Sequence, residues 1–222
     1  MVFQEKIGLI AVAVTVGIMY AVITWLLPLI SIFPFLKFLL AILASIALYR
    51  GIAKGIYYIL GTWLWLRKKL LGEEFLEGTW VGSIRREPLE YTIERYRQNK
   101  GILEIEGDSF LENGSPRSHW RPTAVRVDLT NRKLVYAYTR DIEGNRQSHE
   151  GVASFQLKWG KGELSACDRL EGYAADLTDG NRDANSEYKL SDKWLGREKA
   201  LEEAIKRFSK QENAYRDRDV HR

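Results

Sequence analysis

The strongest constraint on this 222-residue chain is an absence of charge: residues 7–36 contain no Asp, Glu, Lys or Arg. Ile7–Leu27 alone supplies 21 such residues, and about 20 carry an α-helix across about 30 Å of hydrocarbon. Backbone in lipid must satisfy its own hydrogen bonds, so a run of this kind predicts a transmembrane helix. Pro28 and Pro34 then bracket an apolar turn, "PLISIFP". A second apolar stretch, "FLKFLLAILASIALY" (35–49), follows, with Lys37 placed to snorkel and Arg50 closing the span. Spans joined by so short a turn must be antiparallel, so the start of the chain reads as a membrane hairpin. A cleaved signal peptide fits poorly, because no small-residue cleavage site follows the run and a second span comes directly after it.

The basic residues orient the hairpin. Lys6 precedes the first span, while Arg50, Lys54 and the Arg67-Lys68-Lys69 cluster follow the second. Basic residues collect on the cytoplasmic side, which predicts that both termini are cytoplasmic. Tyr57, Tyr58, Trp63 and Trp65 in "GIYYILGTWLWL" (55–66) make an aromatic belt. Either the second span continues through this segment or a short helix lies on the membrane surface. Gly8, Ala11, Ala13, Gly17 and Ala21 along the first span permit close helix contact.

Beyond residue 72 the character of the chain changes. Residues 1–72 hold seven basic residues and one acidic, leaving 26 basic and 28 acidic in the remainder. A net-negative domain is poorly suited to long nucleic acid, whose binding comes largely from neutralising phosphates. Cys167 is the only cysteine, so no internal disulfide forms; a reducing compartment and an inert, half-buried thiol are expected.

From Gly78 to Leu190 short period-two runs alternate with turn residues. They predict strands near 79–86, 89–97, 101–110, 118–129, 132–140, 149–158, 162–169 and 171–178. Turns are expected at 86–88, 99–101, 112–116, 130–132, 143–145 and 160–162. Near-uniform hairpin spacing favours a closed barrel, which at eight strands can hold one small ligand. Trp80 is expected to be core. Residues 191–210 take up helical period, with Ser191 as cap and Trp194, Leu201, Ala204, Ile205 and Phe208 on one face. Residues 211–222 are expected to fray. The predicted fold is therefore a membrane α-helical hairpin plus all-β. Residues 1–72 form the hairpin and a juxtamembrane segment, 73–190 an eight-stranded up-and-down β-barrel, and 191–222 a C-terminal amphipathic helix and tail.

Catalytic and cofactor signatures are weak. His119, His149 and His221 show no metal-ligand spacing, and there is no G-x-S-x-G nucleophile turn and no phosphate-binding glycine loop before a helix. "DGNRDANSE" (179–187) resembles a calcium loop only in composition and reads as a solvated turn. Binding is the better-supported class, with no cofactor or metal and no enzyme activity expected. Alternation supplies candidate ligand residues. If the more apolar odd face of 89–97 points inward, Tyr91 lies inside and Arg95 near a mouth. The odd face of 118–129 likewise sets Arg121 above Val125 and Val127, and the even face of 132–140 sets Arg140 beyond Leu134, Tyr136 and Tyr138. Tyr173 adds an aromatic. Arginine forks match phosphate geometry, and tyrosine faces stack on bases. Tyr91, Arg95, Arg121, Tyr136, Tyr138, Arg140 and Tyr173 are thus the candidate site for a small phosphate-bearing nucleotide.

The double span, the strand opener "LEGTWVGSI", the central "HWRPTAVRV…LVYAYTR" and "LEGYAADL" together resemble the two-transmembrane, β-strand-rich effectors of bacterial CBASS antiphage defence, the CD-NTase-associated protein 15 family. The resemblance covers most of the chain and rests more on the order of parts than on any motif. It implies that a partner CD-NTase nucleotidyltransferase makes a cyclic dinucleotide on infection. The cytoplasmic barrel would bind that messenger, and the effector would self-associate in the bacterial inner membrane, disrupt the bilayer and kill the infected cell. Two alternatives remain at this level. A lipocalin-like barrel for a lipid or envelope component predicts a mainly apolar interior; a scaffold that docks a protein predicts an apolar patch on the barrel wall.

Overall fold

The structure, a computed structural model, describes residues 3–26, 33–84, 88–99, 102–144, 148–160, 166–177, 180 and 182–219. The turn expected at 28–34 and the hairpin tips at 86–88, 99–101, 143–145 and 160–162 lie wholly or partly outside these residues, as does the side chain of Lys37. The chain divides into two compact units, residues 1–71 and 72–222.

In the first unit, helix α1 (Phe3–Ala21) ends in a π-helical turn, Val22–Leu26. Helix α2 runs over Pro34–Thr62, with Pro34 in its first turn, where a missing N–H costs nothing. Helix α3 spans Leu64–Leu71. Two stretches, Ile7–Trp25 and Phe38–Thr62, are long and apolar enough to cross a membrane. Arg50 does not close the second span as expected, because α2 continues three further turns past it. The aromatic segment is thereby divided: Tyr57 and Tyr58 lie on α2, extended backbone at Trp63 ends that helix, and Trp65 sits on α3. Helices α1 and α2 pack together, and α1 buries Ile7, Ala11 and Thr15, one residue per turn.

The second unit is a closed, antiparallel, up-and-down barrel in which every strand pairs with its sequence neighbours and β1 also pairs with β8. Its strands are β1 (Gly78–Ile84), β2 (Glu90–Asn99), β3 (Ile102–Leu111), β4 (Pro116–Asp128), β5 (Lys133–Ile142), β6 (Ser148–Trp159), β7 (Cys167–Asp176) and β8 (Arg182–Ser191). The expected count of eight holds, but the last two strands are reassigned. The runs 162–169 and 171–178 contribute to a single β7. The eighth strand arises from the polar stretch read as a solvated turn at 179–187, together with the residues that follow it. Ser191 is the last residue of β8 and accepts a hydrogen bond from the Lys193 N–H rather than capping a helix. Helix α4 begins at Arg197 and runs to Asp219, past the point where fraying was expected. Trp194 precedes this helix, its indole N–H donating to the Tyr96 carbonyl.

Two apolar clusters flank the wall. The inner one gathers Trp80, Tyr96, Trp120, Leu134, Tyr136, Tyr138, Phe155, Leu157 and Leu170, so Trp80 is core as expected. The outer one places Val81, Tyr91, Ile93 and Phe110 beneath Ala200, Ala204 and Phe208 of α4. Those helical positions recur every four residues, and α4 lies on β1 and β2. Glycine fixes the inner aromatic layer. Gly107 pairs with Trp120 and Gly151 with Tyr138, and each ring lies where a Cβ on the glycine would stand. Gly151→Ala should therefore lower the unfolding free energy by about 1–3 kcal/mol, the usual cost of overpacking. Gly196→Ala, where a methyl meets nothing within 4 Å and only glycine's preference at the start of α4 is lost, should lower it by less than about 1 kcal/mol. Denaturation of the two variants side by side checks the difference.

Candidate functional site

Register and burial together decide which side chains enter the barrel. On β5 the even face points inward as expected: Leu134, Tyr136, Tyr138 and Arg140 are all buried. On β2 the expectation is reversed. Glu90, Thr92, Glu94 and Tyr96 face the interior, while Tyr91 and Ile93 point outward beneath α4. The cause is α4: it buries the outer face of β2, so the more apolar face is not the inner one. On β4 a bulge at Thr123 breaks the alternation, with Pro122 opposite Tyr138 and Ala124 opposite Ala137. Val125 and Val127 still pack on the inner cluster, but Arg121 is turned out, its side chain 73% exposed. Tyr173 also faces out, stacked by the Arg182 guanidinium 3.5 Å from its ring centroid. Of the candidate residues, Tyr136, Tyr138 and Arg140 are brought together inside. Tyr91, Arg95, Arg121 and Tyr173 lie on the outer wall.

The inner residues form three zones. The end where the chain enters is apolar, closed by Leu76, Trp80, Leu134, Leu157 and Leu170. The Trp80 indole donates to the Leu76 carbonyl at 2.8 Å, and the Gln98 side chain holds the entering backbone at Glu74, Leu76 and Glu77. Cys167 is buried at this end, and burial pushes its thiol up to about 11. It is fully buried rather than half-buried, and that pKa keeps it inert.

The opposite end, where β1 hands over to β2 and β5 to β6, is polar. Arg140 donates to Glu90 at 3.0 Å and to Ser118 at 2.8 Å. Ser109 donates to Glu90 and shares a 2.8 Å bond with Ser118. One ion pair thus joins inner faces of β2, β3, β4 and β5. His149, which pairs with Arg140 across the strands, lies 3.3 Å from Asp176.

Between these ends lies an unusual element, a pair of buried carboxyls. Glu94 and Glu187 are 1% and 0% exposed, and each carboxyl acts on the other. Tyr136 donates to Glu94 at 3.0 Å, Tyr96 to Glu187 at 3.2 Å, and the Asn185 amide to Glu187 at 3.0 Å. Burial, then the facing Glu94, hold Glu187 well above the ordinary carboxyl range, while burial raises Glu94. Burial, reinforced by the same two acids, raises the Tyr96 and Tyr136 hydroxyls. Carboxylates without a cation in a dry interior are costly, so the pair keeps at least one proton and shares it.

The outer-wall arginines belong to a separate feature, a surface cleft of about 610 Å³ lined by Glu106, Asp108, His119, Arg121 and Arg197. Arg121 meets Glu106 at 3.3 Å, His119 meets Asp108 at 2.9 Å, and Arg95 lies 3.8–3.9 Å from both acids. The arginines are already paired with carboxylates, and the exposed Arg121–Glu106 pair adds little stability.

The sequence reading missed Thr92, Glu94, Asn185 and Glu187. A period-two signal was present in each strand, but the buried set was the polar one, so hydrophobic alternation pointed the wrong way. Fold and interior define a closed barrel with a mixed aromatic and polar lumen, joined in one chain to two membrane-competent helices. Compared with protein-family models, curated proteins and solved structures, the chain matches none.

The acid pair makes stability pH-dependent with a definite sign. The folded state binds the shared proton more tightly than the unfolded chain, whose glutamates titrate near 4.5. The stabilising protonated form is therefore complete below that value, and stability falls as pH rises through the pair's titration, by up to about 1.4 kcal/mol per pH unit per proton. The melting temperature of Glu187→Gln should fall less between pH 5 and 8 than that of the unaltered protein, and exceed it at pH 8.

Proposed function

We propose that the protein is a ligand-gated membrane effector: its barrel binds a cyclic dinucleotide, and capture of that ligand drives self-association of the helical hairpin and disruption of the bilayer. This is the role of the CBASS effectors it resembles. The partner enzyme would be a CD-NTase, and the site of action the bacterial inner membrane with the barrel in the cytoplasm.

The observation that carries the reading is the composition of the lumen. Trp120, Tyr136 and Tyr138 line it with aromatic rings, and Arg140, held by Glu90 and Ser118, places a guanidinium near one end. A cyclic dinucleotide needs both kinds of group. The lumen argues against the lipid alternative, because an acyl chain would lie against Glu90, Glu94, Arg140 and Glu187. The helices suit the other half of the role. Leu9, Val12, Val16, Trp25, Phe38 and Leu43 are exposed, which lipid tolerates and water does not. Ala13, Gly17 and Ala21, spaced four apart, lie exposed on α1 and leave a small-residue face for a second copy. Swinging assembly from 1:99 to 99:1 requires about 5.5 kcal/mol of ligand preference, within reach of a buried doubly charged ligand.

The test is a panel of linear and cyclic nucleotides added to the detergent-solubilised full chain. A cyclic dinucleotide at a hundredfold excess over its Kd should add about 2.7 kcal/mol and raise the melting temperature by several degrees. Tyr138→Ala should weaken that response, and Arg121→Ala, on the outer wall, should not. A panel with no active member, together with copurifying phospholipid, would favour the lipid barrel.

A further inference from the structure

Beside Glu94 Oε2, two buried polar atoms in the lumen have no partner among the described residues: Thr92 Oγ1 and Asn185 Oδ1, on residues 0% and 6% exposed. Leaving such a group unpaired costs about 1–3 kcal/mol, and native folds seldom do so without cause. The two lie on one stretch of wall. Thr92 of β2 pairs with Gly82 of β1, and Glu187 of β8 pairs with Gly82 from the other side. Asn185 shares the inner face of β8 with Glu187 and commits its amide N–H to that carboxyl. What this wall still offers is one hydroxyl and one carbonyl acceptor beside an acid pair that keeps at least one proton.

Resting on the proposed function, we infer that this wall, formed by Thr92, Asn185 and Glu187, is the base-reading subsite of the barrel, and that the ligand's phosphates are held elsewhere. A hydroxyl donor with a carbonyl acceptor complements the edge of a nucleobase, which presents acceptors and N–H donors side by side. A phosphate matches it poorly, because an anionic, acceptor-only group cannot pair with Asn185 Oδ1 and is repelled by any charge on the two glutamates. The lumen's guanidinium lies toward the other zone, at Arg140, while the buried Lys189 ammonium lies toward the apolar end, beside Phe75 and Asp192. The wall therefore separates heterocycle from phosphate within one lumen.

The inference separates a ligand role from a structural one. Thr92→Val removes an unpaired buried hydroxyl without changing shape. The ligand-free variant, as full chain in detergent, should melt at or above the unaltered protein, yet bind its preferred member of a set of cyclic di-AMP, cyclic di-GMP and cyclic di-UMP about tenfold more weakly, the usual worth of one such bond. Thr92→Ser, which keeps the hydroxyl, should bind as the unaltered protein does. Unchanged affinity in Thr92→Val overturns the subsite and leaves the proposed function standing. A lower melting temperature in Thr92→Val also overturns it, since the hydroxyl would then serve the fold. If the unaltered protein binds no cyclic dinucleotide, the proposed function fails and the subsite with it.

Discussion

Closure of β1 onto β8 is the constraint on which the rest of the barrel depends. Once the sheet has no edge, each strand presents one face to a lumen of fixed volume, and whatever points there must satisfy its neighbours across the axis. The apolar end meets this demand by packing Trp80 against Tyr96, with ring centroids 5.4 Å apart. The remainder meets it with hydrogen bonds. Glu90, Ser109, Ser118 and Arg140 tie four strands together, and the Tyr136–Glu94 and Tyr96–Glu187 bonds join β2 to β5 and to β8. A buried charge left unpaired would cost several kcal/mol, so these contacts are as much a condition of closure as the ladder itself.

Helix α4 has the complementary effect on the outside. By covering Val81, Tyr91 and Ile93 it turns part of the barrel wall into a second core. Beneath it β1 and β2 are buried on both faces, as central strands of a layered protein are, while β4 exposes its outward residues Arg121, Thr123 and Arg126. The helix thus stabilises β1 and, beside it, β2, which contributes Thr92 and Glu94 to the lumen.

The lumen is organised by chemistry along its length: an apolar floor, a protonated acid pair ringed by aromatics, and an ion-paired polar end. A ligand with aromatic, hydrogen-bonding and anionic parts finds a counterpart for each. This sorting, more than any single residue, is what the proposed nucleotide binding rests on.

What the sequence determined by itself was the gross plan. Thirty residues without charge and a second apolar run predict two helices able to span a bilayer, and regular turns predict eight strands closing on themselves. Both follow from local patterning, in which hydrophobic period and turn residues act over a few positions. Tertiary structure alone decided which face of each strand looked inward. On β5 the pattern was legible because the inner residues Leu134, Tyr136 and Tyr138 are also the less polar ones. On β2 and β8 it was not, because α4 buries the outer face of one and the inner face of the other carries Asn185 and Glu187. On β4 a single extra residue at Thr123 moved Arg121 from lumen to surface. Side-chain direction in a strand has period two, so a covering helix, a bulge or a polar core each inverts the reading. All three depend on contacts between residues far apart in the chain.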